Sequence, residues 1–171
     1  TTGGTREEID PVRYISNHSS GKMGFALAEA ARLRGAEVTV IVGNVSASQP
    51  SGVKTIKAVS AAEMHRAVMQ ELKNSTVYIG AAAVADYRPA TRAAAKIKKT
   101  DSDKLFIELE KTIDILAEVS RNRPENLIVV GFAAETNDVE NHARAKMEKK
   151  DLDLIVANDV SRNDTGFGAE N

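Results

Sequence analysis

Four short apolar segments separated by amphipathic stretches constrain the fold more than any other feature of this chain. Val38–Val42 (VTVIV), Thr76–Ala83 (TVYIGAAA), Leu127–Phe132 (LIVVGF) and Leu152–Ala157 (LDLIVA) are rich in β-branched residues and too short for core helices. Between them lie helical patterns. Strands alternating with helices predict a mainly parallel sheet joined by right-handed crossovers. The expectation is an α/β, Rossmann-like three-layer fold. Ligands of such sheets bind beyond the carboxyl ends of the strands. The loops there are Gly3-Gly4 onward, Ala82–Tyr87, Phe132–Glu135 and Asn158-Asp159.

Local signals fill in the elements. Thr1-Thr2-Gly3-Gly4 reads as the exit of a first strand whose body is missing. Met23, Ala26, Leu27, Ala30 and Ala31 give one apolar helix face, closed by Gly35. Val53–Val59 reads as a short edge strand. Ser60 and Glu63 form a capping box, with Met64, Ala67, Val68 and Leu72 inward on a helix running to about Lys73. Ala85–Pro89 reads as an exit loop, and Leu105–Leu109 as a half-exposed strand. Thr112 is the expected cap of a helix carrying Ile115, Leu116 and Val119. Asn137, with Glu140 three residues on, is the expected cap of a charged outer helix.

The stretch DPVRYISNHSSGKMG, Asp10 to Gly24, reads as a long polar loop feeding a helix N-terminus, a place suited to anions. Arg13, Asn17, His18, Ser19, Ser20 and Lys22 are its hydrogen-bonding groups. Gly21-Lys22 is not a P-loop, because Ser16 and Met23 stand where glycine and a hydroxyl residue belong. The dinucleotide fingerprint GxGxxG also fails. Asn17 reads either as a turn-former or as a functional amide, and Arg13 either as a structural clamp or as a ligand. Residues 90–103, with Lys96-Ile97-Lys98-Lys99, read as a flexible flap. Its lysines form either a solvated face or a set that closes on phosphates. Asp86 could be a solvated or capping carboxylate, or hold Mg²⁺ beside a nucleotide phosphate. The three histidines have no metal-ligand spacing.

Bulk properties exclude several classes. Over 171 residues the net charge is −1, so no basic field points to nucleic acid, and four Phe and three Tyr are few for base stacking. There is no Cys, which fits the cytoplasm and removes thiolate chemistry. No apolar run approaches the ~20 residues of a membrane span.

With GAAAVADYRPA, KIKK, VVGFAAET and LIVANDV following the first loop in order, the chain resembles phosphopantothenate–cysteine ligase over essentially its whole length. This is the C-terminal half of the bacterial bifunctional coenzyme A biosynthesis protein. The resemblance implies a CTP-dependent enzyme that joins 4′-phosphopantothenate and L-cysteine through an acyl-cytidylate. It implies Mg²⁺ with the nucleotide, a homodimer, and a decarboxylase domain in the same polypeptide, which would bring FMN. It assigns the second half-reaction to Asn17, with Arg13 and Ala83 in the same substrate pocket. Lys96 falls to charge stabilisation at the α-phosphate. Gly80, Ala81, Ala82, Asp86, Ile113, Asp114, Ile115, Leu116, Phe132, Lys146 and Lys150 fall to nucleotide binding. Ile113 stands where the family usually has Pro. One ligase domain over 1–171, shortened at both ends, is the expected organisation. An NAD(P)-binding oxidoreductase module would want the missing glycine fingerprint and has no need of KIKK. A non-catalytic nucleotide-binding domain has no need of Asn17 and Lys96 together.

Overall fold

The computed structural model describes residues 1–99, 104–159 and 161. In chain order the elements are β1 (Arg6–Glu8), β2 (Tyr14–Ser16), α1 (Lys22–Leu33), β3 (Thr39–Val42), β4 (Lys54–Lys57), α2 (Ala61–Leu72), β5 (Val77–Gly80), β6 (Tyr87–Pro89), β7 (Leu109–Lys111), α3 (Ile115–Arg121), β8 (Ile128–Glu135), α4 (Val139–Lys149) and β9 (Leu154–Asp159). Residues 100–103 of the expected flap, Val160 and the 162–171 segment lie outside the described residues.

The N-terminal segment completes the sheet. Thr2 bridges Val42 and Gly4 bridges Ala83, both in parallel. Thr2 N–H donates to the Ile41 carbonyl at 3.0 Å, and Ala83 N–H to Gly3 at 2.9 Å. With parallel β3–β4 and β5–β8–β9, residues 1–5 sit between β3 and β5. Counted in chain order, the strand positions run 3-2-1-4-5-6, the doubly wound arrangement. The Rossmann-like expectation holds.

Alternation along β3 sends Val40 and Ile41 to opposite faces. Val40 packs with Phe25 and Ala28 of α1. Ile41 joins Met64, Val68, Leu72, Ile115, Val119, Val129 and Leu152, with Met147 of α4 packed alongside. So α1 covers one face, and α2, α3 and α4 the other. The face of α1 is rotated from expectation: Phe25 and Ala28 are buried, whereas Met23 is exposed. Gly24 explains the rotation. A Cβ there would lie 2.3 Å from Thr2 Oγ1, so only glycine lets the helix lie this close to the first strand.

Other expectations are corrected. The Asp10–Gly24 stretch is not all loop, since β1 and β2 pair antiparallel from Arg6↔Ser16 to Glu8↔Tyr14. In place of the expected half-exposed strand over 105–109 stands β7 at 109–111, with all three residues exposed. It pairs with β6, which takes Tyr87–Pro89 out of the exit loop. Asp114, not Thr112, caps α3 by accepting from Ala117 N–H, while the Thr112 hydroxyl donates to the Ala85 carbonyl at 2.5 Å. Asp138, in left-handed conformation, precedes α4 in place of Asn137. The Ser60/Glu63 capping box, the buried row of α2, the edge strand β4 and the Gly35 terminus stand as expected.

Candidate functional site

A cleft of about 420 Å³ opens beyond the carboxyl end of β5, alongside Phe132 of β8. That size suits a nucleotide-sized ligand. Gly80 of β5 lines the cleft, in register with Gly131 of β8 behind it. A Cβ on Gly131 would come within 2.7 Å of Leu152 and 3.0 Å of Leu116, so bulk there would displace the start of α3. Gly80 and Ala82 line the cleft together with Tyr78 and Val84, as period-2 alternation requires. Ala81 faces the other way. It lines a larger cavity of about 680 Å³, between the lower halves of β3 and β5 under α1. On its lining Lys54 and Glu71 pair with each other.

The wall of the cleft comes from Ile113 to Leu116, where β7 hands over to α3, and from Phe132 on β8. Opposite stand Lys146 on α4 and Lys150 just past its end, four residues apart. Lys146 Nζ donates to the Phe132 carbonyl at 2.8 Å. Burial and the neighbouring Lys150 charge lower its pKa, against the pull of Glu135, Asp114 and Asp86. Burial works to raise the Asp114 pKa, but the Lys150 and Ala117 hydrogen bonds and the two lysine charges bring it below the ordinary value. Burial pushes the Tyr78 hydroxyl up to about 12, against a hydrogen bond with Thr1 and with the Asp114 charge adding to the shift. Asp86 is exposed on the lining. Lys111 adds a third cation, and apolar walls beside a lysine cluster suit a flat base joined to phosphates.

Of the expected nucleotide residues, all but Ala81 and Lys96 line this one cleft. Asn17 and Ala83 adjoin Val84 of its lining, whereas Arg13 is not among the lining residues. Asn17 Nδ2 donates to the carbonyl of Val84, a lining residue, at 3.1 Å, and the Ala83 carbonyl accepts from Thr5 N–H. Arg13 binds Asp10 and the Ile97 carbonyl, which places it beside the lysine segment. Sequence reasoning missed Thr1, Tyr78, Val84, Tyr87, Lys111 and Thr112. Tyr78 and Val84 were within reach, because both share the parity of Gly80 and Ala82 along the strand.

The family model described as the DNA/pantothenate metabolism flavoprotein C-terminal domain matches residues 1–171. The chain belongs to this family. Within the DNA/pantothenate metabolism flavoprotein relatives, it is 56% identical over 170 residues to the coenzyme A biosynthesis bifunctional protein CoaBC of Vibrio vulnificus (strain YJ016), covering 99% of this chain and 42% of that protein. The Escherichia coli (strain K12) CoaBC is 54% identical over 173 residues, covering 100% of this chain and 43% of that protein. The chain thus spans less than half the length of these relatives. The solved C-terminal domain of a CoaBC superposes with a TM-score of 0.80 at 44% identity, covering 92% of this chain and 74% of that one.

Proposed function

We propose that this domain joins 4′-phosphopantothenate to L-cysteine at the expense of CTP, giving 4′-phosphopantothenoyl-cysteine in coenzyme A biosynthesis. The carrying observation is that the expected nucleotide residues other than Ala81 and Lys96 gather in one cleft beyond the carboxyl end of β5. In the first step a carboxylate oxygen of phosphopantothenate attacks the α-phosphorus of CTP. The bond to the bridging oxygen breaks, and pyrophosphate leaves. In the second step the cysteine amine attacks the acyl carbon of the cytidylate, loses a proton, and CMP departs. The protein's part is to orient the partners and offset charge. Lys146 and Lys150 hold phosphate oxygens, Phe132, Ile113 and Leu116 shelter the base, Lys96 steadies the α-phosphate, and Asn17 serves the amine step.

In this reading Asp86 would hold Mg²⁺ with the nucleotide. Asp114 is engaged by Lys150, whereas Asp86 is exposed in the cleft. The described residues contain no group of three or more His, Cys, Asp or Glu that could cage an ion. One carboxylate plus substrate phosphates is the usual habit of Mg²⁺. When bound, the ion would neutralise phosphate charge.

We extend the reading to a homodimer; Leu105 and Phe106, the latter 87% exposed, are apolar side chains open to solvent just before β7. A cytoplasmic setting and an FMN-using decarboxylase portion in the full-length polypeptide belong to the same proposal. Among the described residues, no helix is long and apolar enough to cross a membrane.

Calorimetric titration of the full-length protein with CTP, ATP and NADPH, in the presence of Mg²⁺, tests the reading. CTP preference is expected. Binding of NADPH without CTP would replace the ligase by an oxidoreductase module.

A further inference from the structure

The lysine segment 90–99 forms no regular element, yet it is docked along residues 8–13. Arg92 pairs with Glu8. Ala93 N–H donates to the Ile9 carbonyl at 2.9 Å. At Ile97 both backbone groups are engaged. Its N–H donates to Asp10 Oδ2 at 3.1 Å, and its carbonyl accepts from Arg13 Nη2 at 2.8 Å. Both backbone groups of one residue are thereby held by a single ion pair, as a neighbouring strand would hold them.

The pair is built for the task. The Asp10 side chain is fully enclosed. Oδ1 accepts from the backbone N–H groups of Val12 and Arg13 at 2.8 and 2.9 Å, which makes the turn between β1 and β2. Oδ2 accepts from Arg13 Nε and Nη2 at 3.0 and 2.6 Å, and from Ile97. One oxygen therefore serves the turn and the other serves the lysine segment. Ile97 is half-buried, while Lys96 and Lys98 are exposed, two residues apart and so on one side of an extended stretch.

We propose that Asp10 and Arg13 are positioning residues that fix Lys96 by gripping the backbone of Ile97. The inference rests on the ligase reading for what Lys96 does once fixed, but the grip itself does not depend on it. A lysine on a free segment must be ordered in each turnover, whereas a gripped one begins near its working place.

Asp10→Asn separates the two oxygens. The amide oxygen keeps the two turn bonds, which fixes its orientation. The amide nitrogen then meets Ile97 N–H and the guanidinium as donor against donor. In the full-length protein, hydrogen exchange at the Ile97 amide is expected to speed up by about tenfold or more, as the Oδ2 bond is lost. The kcat for pyrophosphate release from CTP is expected to fall by about ten- to hundredfold, with KM for CTP changed less than about threefold. Arg13→Lys, which keeps charge but not the fork, is expected to fall between the two. It also serves if Asp10→Asn fails to fold. Unchanged Ile97 exchange in both variants would overturn the grip. Faster exchange with unchanged pyrophosphate release would overturn the positioning role. If the unsubstituted protein released no pyrophosphate, the ligase reading and the role of Lys96 would fall together. Ile97 exchange would still decide whether the grip exists.

Discussion

Lys150, at the end of α4, reaches across the cleft to the cap of α3. Its Nζ lies 2.9 Å from Oδ2 and 3.1 Å from Oδ1 of Asp114. Asp114 also caps α3, with Oδ1 accepting from Ala117 N–H at 3.1 Å. One carboxylate thus ties two elements together at the wall of the cleft.

The two roles separate by substitution. Asp114→Asn keeps a capping acceptor and loses the charge. An exposed ion pair is worth little, so its stability cost is expected to stay below about 1 kcal/mol. Asp114→Ala also loses the cap, adding about 1 kcal/mol. Urea denaturation checks both. CTP affinity is expected to fall by about tenfold in both variants, since either one leaves Lys150 unordered over the phosphates. Affinity that falls only with Asp114→Ala would reduce Asp114 to a helix cap.

A second prediction concerns acid. Burial alone would raise the Asp10 pKa, but the Arg13 guanidinium and the N–H groups of Val12, Ile97 and Arg13 hold it well below the usual carboxylate range. A depressed folded-state pKa stabilises the fold fully above the unfolded value of about 3.9. That stability is lost as pH falls through the folded value. Unfolding midpoints measured from about pH 6 down to about pH 3 should therefore drop more steeply for the unsubstituted protein than for Asp10→Asn, by up to about one proton. Parallel curves would mean that Asp10 is not held as a carboxylate.

The sequence was legible where the physics is local. Ser60 and Glu63 lie three residues apart, and their capping box needs nothing from the rest of the chain. The strand–helix alternation fixed the sheet for the same reason. Asp114 displaced Thr112 as a cap because Thr112 is drawn to the Ala85 carbonyl, a partner far away in the chain. The face of α1 turned because Gly24 meets Thr2. The β1–β2 hairpin was hidden because Arg6, Glu7 and Glu8 read as polar, though Glu7 is buried and accepts from Ala61 N–H at 2.8 Å. The site shows the same division. The resemblance pointed to Gly80, Ala82 and Ile113 to Leu116 of the cleft lining but not to Tyr78 or Val84, and it grouped Ala81 with its neighbours although strand parity turns it away. The docking of Ile97 on Asp10, 87 residues off, leaves no local trace.

The last prediction separates the two half-reactions. Asn17 donates to the Val84 carbonyl at the edge of the cleft, next to Ala83, whereas Lys96 stands on the docked segment beside Arg13. These are different supports, so the two residues need not fail together. Lys96→Gln removes a charge that the first step uses, and pyrophosphate release is expected to drop by about a hundredfold or more. Asn17→Asp keeps the size but cannot donate to Val84. It also brings a negative charge to the acyl group. It is expected to leave pyrophosphate release within about threefold, while formation of the cysteine adduct falls by about a hundredfold. Single-turnover assays that follow pyrophosphate and adduct separately would measure both. An equal loss of both steps in Asn17→Asp would locate its effect in the loop's structure, not in the amine step.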